Sequence, residues 1–144
     1  MTLEKGQKFA DKHGPDARAD SVIKEKIDGK VKDGELACAM AFKIAAELEV
    51  PPSEVGKTLD LLELKLSKCQ LGLFGYKPDK KKVTARKPQN QQIEAAIQNA
   101  LVDGKLTCRD AWSIAHRHNV PKMAVSSACE FLGIKIKPCQ LGAF

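Results

Sequence analysis

Six basic side chains, Lys77, Lys80, Lys81, Lys82, Arg86 and Lys87, fall between residues 75 and 92, where Asp79 is the lone acid. Cations at that density suit a polyanion, because contact with several phosphates releases counterions and ties affinity steeply to salt. The same run, GYKPDKKKVTARKPQNQQ, also reads as a solvated linker with a short extended piece at Val83 and Thr84. Cysteines form the second group able to do chemistry. Cys38 and Cys69 stand 31 residues apart, as do Cys108 and Cys139, which invites a metal or redox reading. Zinc, however, takes ligands from close CxxC or HxxxH pairs, and neither is present. Five cysteines behind a start without an export signal predict reduced thiols packed as small apolar groups.

His116 and His118 lie two apart on a predicted helix and so point in different directions, against shared ligation. His118 is expected to be partly buried and His116 to face solvent. No Ser-His-Asp set, paired-carboxylate motif, phosphate-binding glycine loop or dinucleotide fingerprint occurs. The expectation is a non-enzyme with no cofactor and no metal.

Among the 144 residues, 43% are hydrophobic and 29% charged, as in ordinary globular proteins, and the net charge is +6. No apolar run approaches the roughly 18 residues of a membrane span. The opening MTLEKGQKFADKHGPDARAD lacks an apolar stretch behind its charges, so the expected location is the cytoplasm, away from membranes.

Shifting the sequence by 70 residues aligns 23–74 with 93–144 without a gap and with 19 identities. Most are apolar residues, Gly or Pro, among them Cys38/Cys108, Ala45/Ala115, Val50-Pro51/Val120-Pro121 and CQLG at 69–72 and 139–142. That pattern predicts a tandem duplication. The expected organisation is a polar arm at 1–20, in which only Phe9 looks able to dock, a unit at 21–74, a basic linker at 75–92 and a second unit at 93–144.

Each unit should hold three helices. Ile23, Ile27 and Val31, like Ile93, Ile97 and Leu101, mark one face of a first helix that Asp33-Gly34 or Asp103-Gly104 would end. A second helix is expected from about Ala37 to Leu48, with Cys38, Ala41, Ile44, Ala45 and Leu48 inward. After Val50-Pro51, Ser53 would cap a third helix running to about Glu63, with Val55, Leu59 and Leu62 inside. Leu64-Lys65-Leu66 and Ile134-Lys135-Ile136 then alternate as a half-buried strand, with Gly133 ending the helix before the latter. Cys69-Gln70-Leu71-Gly72 would continue the strand, Cys69 and Leu71 inward, until the glycine turns it and Phe74 or Phe144 anchors the end. Phe42 and Trp112, matched on the second helices, are expected to pack a seam between the units.

The span from Ile44 to Leu59 resembles the helix-turn-helix superfamily of DNA-binding proteins. Ala45, Glu49, Val50 and Val55 stand where that family places a small helix residue, a left-handed turn residue, an apolar residue and a β-branched core residue; Ala115, Asn119, Val120 and Val125 repeat them. The strand after the third helix is similar to that of winged-helix proteins, here with a reduced wing. The fold class expected is mainly α with short β, a duplicated three-helix unit followed by a strand.

The resemblance implies that the start of each third helix faces DNA. Those positions are Pro52, Ser53, Gly56 and Lys57, and Lys122, Met123, Ser126 and Ser127, with Lys80, Lys81, Lys82, Arg86 and Lys87 as phosphate contacts. The expected function is DNA binding by a covalent pseudo-dimer, its partner double-stranded DNA. Glu54, Asp60 and Glu63 around the first third helix, and the absence of arginine from both, favour instead a protein interaction or assembly module. A third reading is a cysteine-based metal or redox sensor.

Overall fold

A computed structural model describes residues 12–14, 17–77 and 80–143. Phe9 and Phe144 lie outside them. The chain divides into two compact units: the first takes residues up to Cys69 together with the segment that begins at Gln140, and the second runs from Gln70 to Cys139. Both chain crossings thus fall inside a CQLG, not in the basic segment.

In the first unit, α1 (Ser21–Asp28) starts at Asp20, whose Oδ1 accepts the Val22 and Ile23 amides at 2.9 Å each. Ile23 and Ile27 face the core as their spacing predicts, but the helix stops at Asp28. Asp33 and Gly34 do not end it. Their φ angles of 53° and 75° are those of a type I′ turn, closed by Lys32 pairing with Glu35. That turn feeds β1 (Glu35–Ala37), which pairs in parallel with β2 (Lys65–Ser67), Leu36 opposite Leu66. Between them run α2 (Cys38–Leu48) and α3 (Pro52–Leu61), the helical crossover that a parallel pair requires.

Cys38, Ala41, Ile44 and Ala45 are the buried face of α2, and Glu49 ends it in the left-handed conformation. Pro51, not Ser53, occupies the N-cap of α3, with Pro52 at the first helical position, where a missing N–H costs nothing. Val55 and Leu59 are buried as expected. Among the described residues β2 pairs with β1 alone, so the strand after α3 has no hairpin wing there.

In the second unit, α4 (Gln91–Ala100) is capped by Asn90, α5 (Cys108–Arg117) by Thr107, and α6 (Lys122–Leu132) ends at left-handed Gly133. Asp103 and Gly104 repeat the positive-φ turn. A single parallel bridge, Leu106 to Ile136, stands where the first unit has its strand pair. Ile93, Ile97, Leu106, Ile114 and Val125 form the core, joined by Leu71 and Val83. Val83 is buried, and Lys82 N and Val83 N donate to Gly72 O at 2.8 and 3.1 Å, which ties the basic segment to the turn at Gly72. CQLG is a turn in both places rather than a strand, though Cys69, Leu71 and Leu141 do point inward. The described chain is thus mainly helical, with six helices and one short parallel sheet.

Candidate nucleic-acid interface

α3 offers its first turn to solvent and little more. Ser53 and Glu54 are exposed and Lys57 is half-buried. Gly56, expected on the outward face, is buried: a Cβ there would lie 1.7 Å from Leu141 O and 2.6 Å from Leu141 C. The backbone of the Gln140 segment therefore rests directly on the middle of α3. One turn further, Asp60 Oδ2 holds Lys12 Nζ at 3.0 Å and His13 Nε2 at 2.9 Å, and Lys12 Nζ also donates to Gly142 O at 3.1 Å. Nothing in the sequence marks this bracket, whose His13 and Asp60 are 47 residues apart.

The same face of α6 is covered in the second unit by Leu71 and Gly72, with Lys81 and Arg86 beside them. Ser126, a predicted DNA contact, is wholly inaccessible, with Oγ donating to Leu71 O at 2.7 Å. That prediction is corrected: with its hydroxyl spent in the core, Ser126 has nothing to offer a ligand. Met123 packs at Gly72, where an added Cβ would lie 3.2 Å from its sulfur. Ser127 is half-buried and its carbonyl accepts the Arg86 N–H at 3.1 Å. Glu130, seventy residues after Asp60, pairs with Lys81. Lys122 at the head of α6 lays its ammonium over the Trp112 ring, 4.5 Å from the centroid.

The basic segment keeps its charges in water. Lys80, Lys81, Lys82, Arg86 and Lys87 are all exposed, and Lys82 Nζ stands 5.6 Å from the centre of the Tyr76 ring. Arg86 and Lys81 are drawn to α6 by the contacts just described, so cations that are distant from α6 in sequence lie beside it. Ser53 and Lys57 belong to the other unit.

Cys38, Cys69, Cys108 and Cys129 are buried and Cys139 is half-buried, and none is in a disulfide. Burial, with a smaller push from Glu130, raises the Cys129 thiol from the ordinary 9.0 to about 11, which keeps it protonated and inert at neutral pH. Among the described residues no group of three or more His, Cys, Asp or Glu could hold a metal ion, and no helix is long and apolar enough to cross a membrane. His116 is exposed and His118 half-buried. Comparison with protein-family models, with curated proteins and with solved structures finds no match to this chain.

Proposed function

We propose that the chain binds double-stranded DNA chiefly through phosphates, as two tandem helix-turn-helix units whose main contact is the basic segment of the second. The observation that carries this reading is the exposure of Lys80, Lys81, Lys82, Arg86 and Lys87 on one stretch anchored along α6. Left-handed Glu49 and Asn119, at φ 56° and 55°, supply support, standing where a helix-turn-helix needs its turn residue. Duplication of the unit draws support from the pairing of Leu36 with Leu66 and of Leu106 with Ile136, both shifted by the sequence offset.

Covered positions Gly56 and Ser126 argue against base reading by the middle of either third helix. Contact then falls to phosphates, which carry position and not sequence. The test is fluorescence anisotropy with a generic labelled duplex over a series of salt concentrations. A steep loss of affinity with salt is expected. The slope should shrink by about 2 in the triple variant K80A/K81A/K82A, since each phosphate contact contributes roughly 0.9 and Lys81 is partly engaged by Glu130. No binding at low salt overturns the reading.

A protein interaction or assembly module that leaves DNA alone is the second reading. It is favoured by the occupation of the α3 and α6 faces by Leu141 and Leu71. Absence of DNA binding in the titration would leave this one standing.

A further inference from the structure

One aromatic ring of the second unit stands in water on a helix that is otherwise well packed. α6 buries Val125, Ser126, Ala128 and Cys129, yet Phe131, close to its end, is 53% exposed. A single apolar side chain at a surface is ordinary, so its neighbours decide whether the ring has a use. Two of them anchor the basic segment. Glu130, the residue before, holds Lys81. Ser127, one helical turn behind on the same face, accepts the Arg86 N–H on its carbonyl at 3.1 Å. In an α-helix that carbonyl also faces the amide four residues on, which is that of Phe131. The chain from Lys81 to Arg86 therefore lies beside the last turns of α6 that carry the ring, and Lys81, Lys82, Arg86 and Lys87 keep exposed side chains.

An exposed ring among anchored cations meets the two needs of an unpaired nucleotide, a flat surface for its base and positive charge for its phosphate. A duplex makes no use of such a ring, because its bases are stacked on one another and only groove edges and phosphates are offered. Glu130 offers little repulsion, its charge being met by Lys81. The segment carries a second ring in Tyr76, half-buried, with Lys82 Nζ 5.6 Å from its centroid. A protein partner fits less well: among its described residues this unit exposes one other large apolar side chain, Val102, too little for the apolar core of an interface. In the first unit the position seventy residues earlier is Leu61, aliphatic and half-buried. Exposed ring and basic segment thus belong to the same unit.

We propose that Phe131 is a stacking platform for an unpaired base and that the basic segment beside it tracks the flanking phosphates, so that the second unit binds single-stranded DNA more tightly than a duplex of equal length. The proposal rests on the reading that this segment contacts phosphates, and it adds the form of DNA the site prefers.

The experiment is fluorescence anisotropy of the full-length chain with a labelled oligothymidylate of about 12 nucleotides and with a duplex of the same length. Tighter binding of the single strand is expected. Phe131→Ala should weaken it by about 5- to 150-fold, the loss of one stacked base, while the duplex affinity and the salt slope stay as they were, since no charge is removed. Phe131→Leu, apolar but without a ring face, should lose affinity as well, and Phe131→Trp should restore it. A duplex bound as tightly as the single strand overturns the proposal, and so does a Phe131→Ala or Phe131→Leu protein that binds the single strand like the parent. If Phe131→Ala loses its helical circular dichroism, Phe131→Leu decides. Tighter binding of the matching oligouridylate overturns the assignment to DNA. Duplex binding with a single-strand affinity indifferent to Phe131 overturns this proposal alone; single-strand binding that depends on Phe131, without duplex binding, overturns the duplex reading and leaves this one.

Discussion

Gly56→Ala puts the close approach of Leu141 to α3 to a quantitative test. In an open helix interior this change stabilises by about 1 kcal/mol, because alanine is the better helix former. Here the added Cβ would stand 1.7 Å from Leu141 O and 2.6 Å from Leu141 C, both backbone atoms that no rotamer change can move. The Leu141 segment must lift. Lifting re-exposes a leucine that is 2% accessible, a loss of about 1.5 to 3 kcal/mol, and breaks the bond from Lys12 to Gly142 O, about 0.5 to 1.5 kcal/mol. Set against the helix gain, the net is a destabilisation of roughly 1 to 3 kcal/mol. Thermal unfolding followed at 222 nm should show a midpoint lower by about 3 to 12 °C. Gly29→Ala is the control: Gly29 has φ −75° and its nearest contacts, at 3.7 and 3.9 Å, are ordinary, so no loss is expected. A Gly56→Ala protein as stable as the parent or more so would refute the seating of Leu141.

Other perturbations probe the remaining joints. Ser126→Ala removes the 2.7 Å donor to Leu71 O in a site closed to water and should cost about 1 to 3 kcal/mol by urea denaturation; no change would mean that the carbonyl finds another donor. Glu49→Gly relieves a side chain held at φ 56° and should stabilise by about 1 kcal/mol, whereas Glu49→Val should destabilise. A folded-state Cys129 raised to about 11 from 9.0 means that unfolded chains lose this proton first. Stability from this thiol is therefore complete below pH 9 and declines as pH rises from 9 to 11. The thermal midpoint should fall over that window, and less so in Cys129→Ala.

Much of the helical framework is legible because its signals are local. The spacing of Ile23 and Ile27, of Cys38, Ala41, Ile44 and Ala45, and of Val55 and Leu59 marks buried faces that the structure retains, and left-handed Asn119 and Gly133 occupy positions their chemistry favours. Asp33-Gly34, expected as a helix end, is instead a hairpin turn, because Lys32 pairs with Glu35 across it, a contact no local spacing reports. β1 escapes detection because three residues, Glu35 to Ala37, are too few to show alternation and its partner β2 lies beyond two helices. Outwardness of Gly56 and Ser126 followed from treating α3 and α6 as bare. What covers them comes from Leu141 and Leu71, and no periodicity reports a partner delivered from elsewhere in the chain. Lys12 and His13 are hidden for the same reason: their meaning depends on Asp60.

The position of the two chain crossings gives this covering an energetic consequence. Leu71 emerges from β2 of the first unit and is fully buried in the second; Leu141 emerges from the second and is buried in the first. A domain of this size carries roughly 0.05 to 0.15 kcal/mol per residue, so for a unit of about 70 residues a leucine worth about 1.5 to 3 kcal/mol is a substantial share of the whole. Melting of the first unit frees the chain that precedes Leu71 and at the same time releases Leu141 from its seat. Each unit then loses some stability when the other opens. The Cys-Gln-Leu-Gly turn thus stands at both crossings, and each time its leucine is buried just past the point where the chain changes unit.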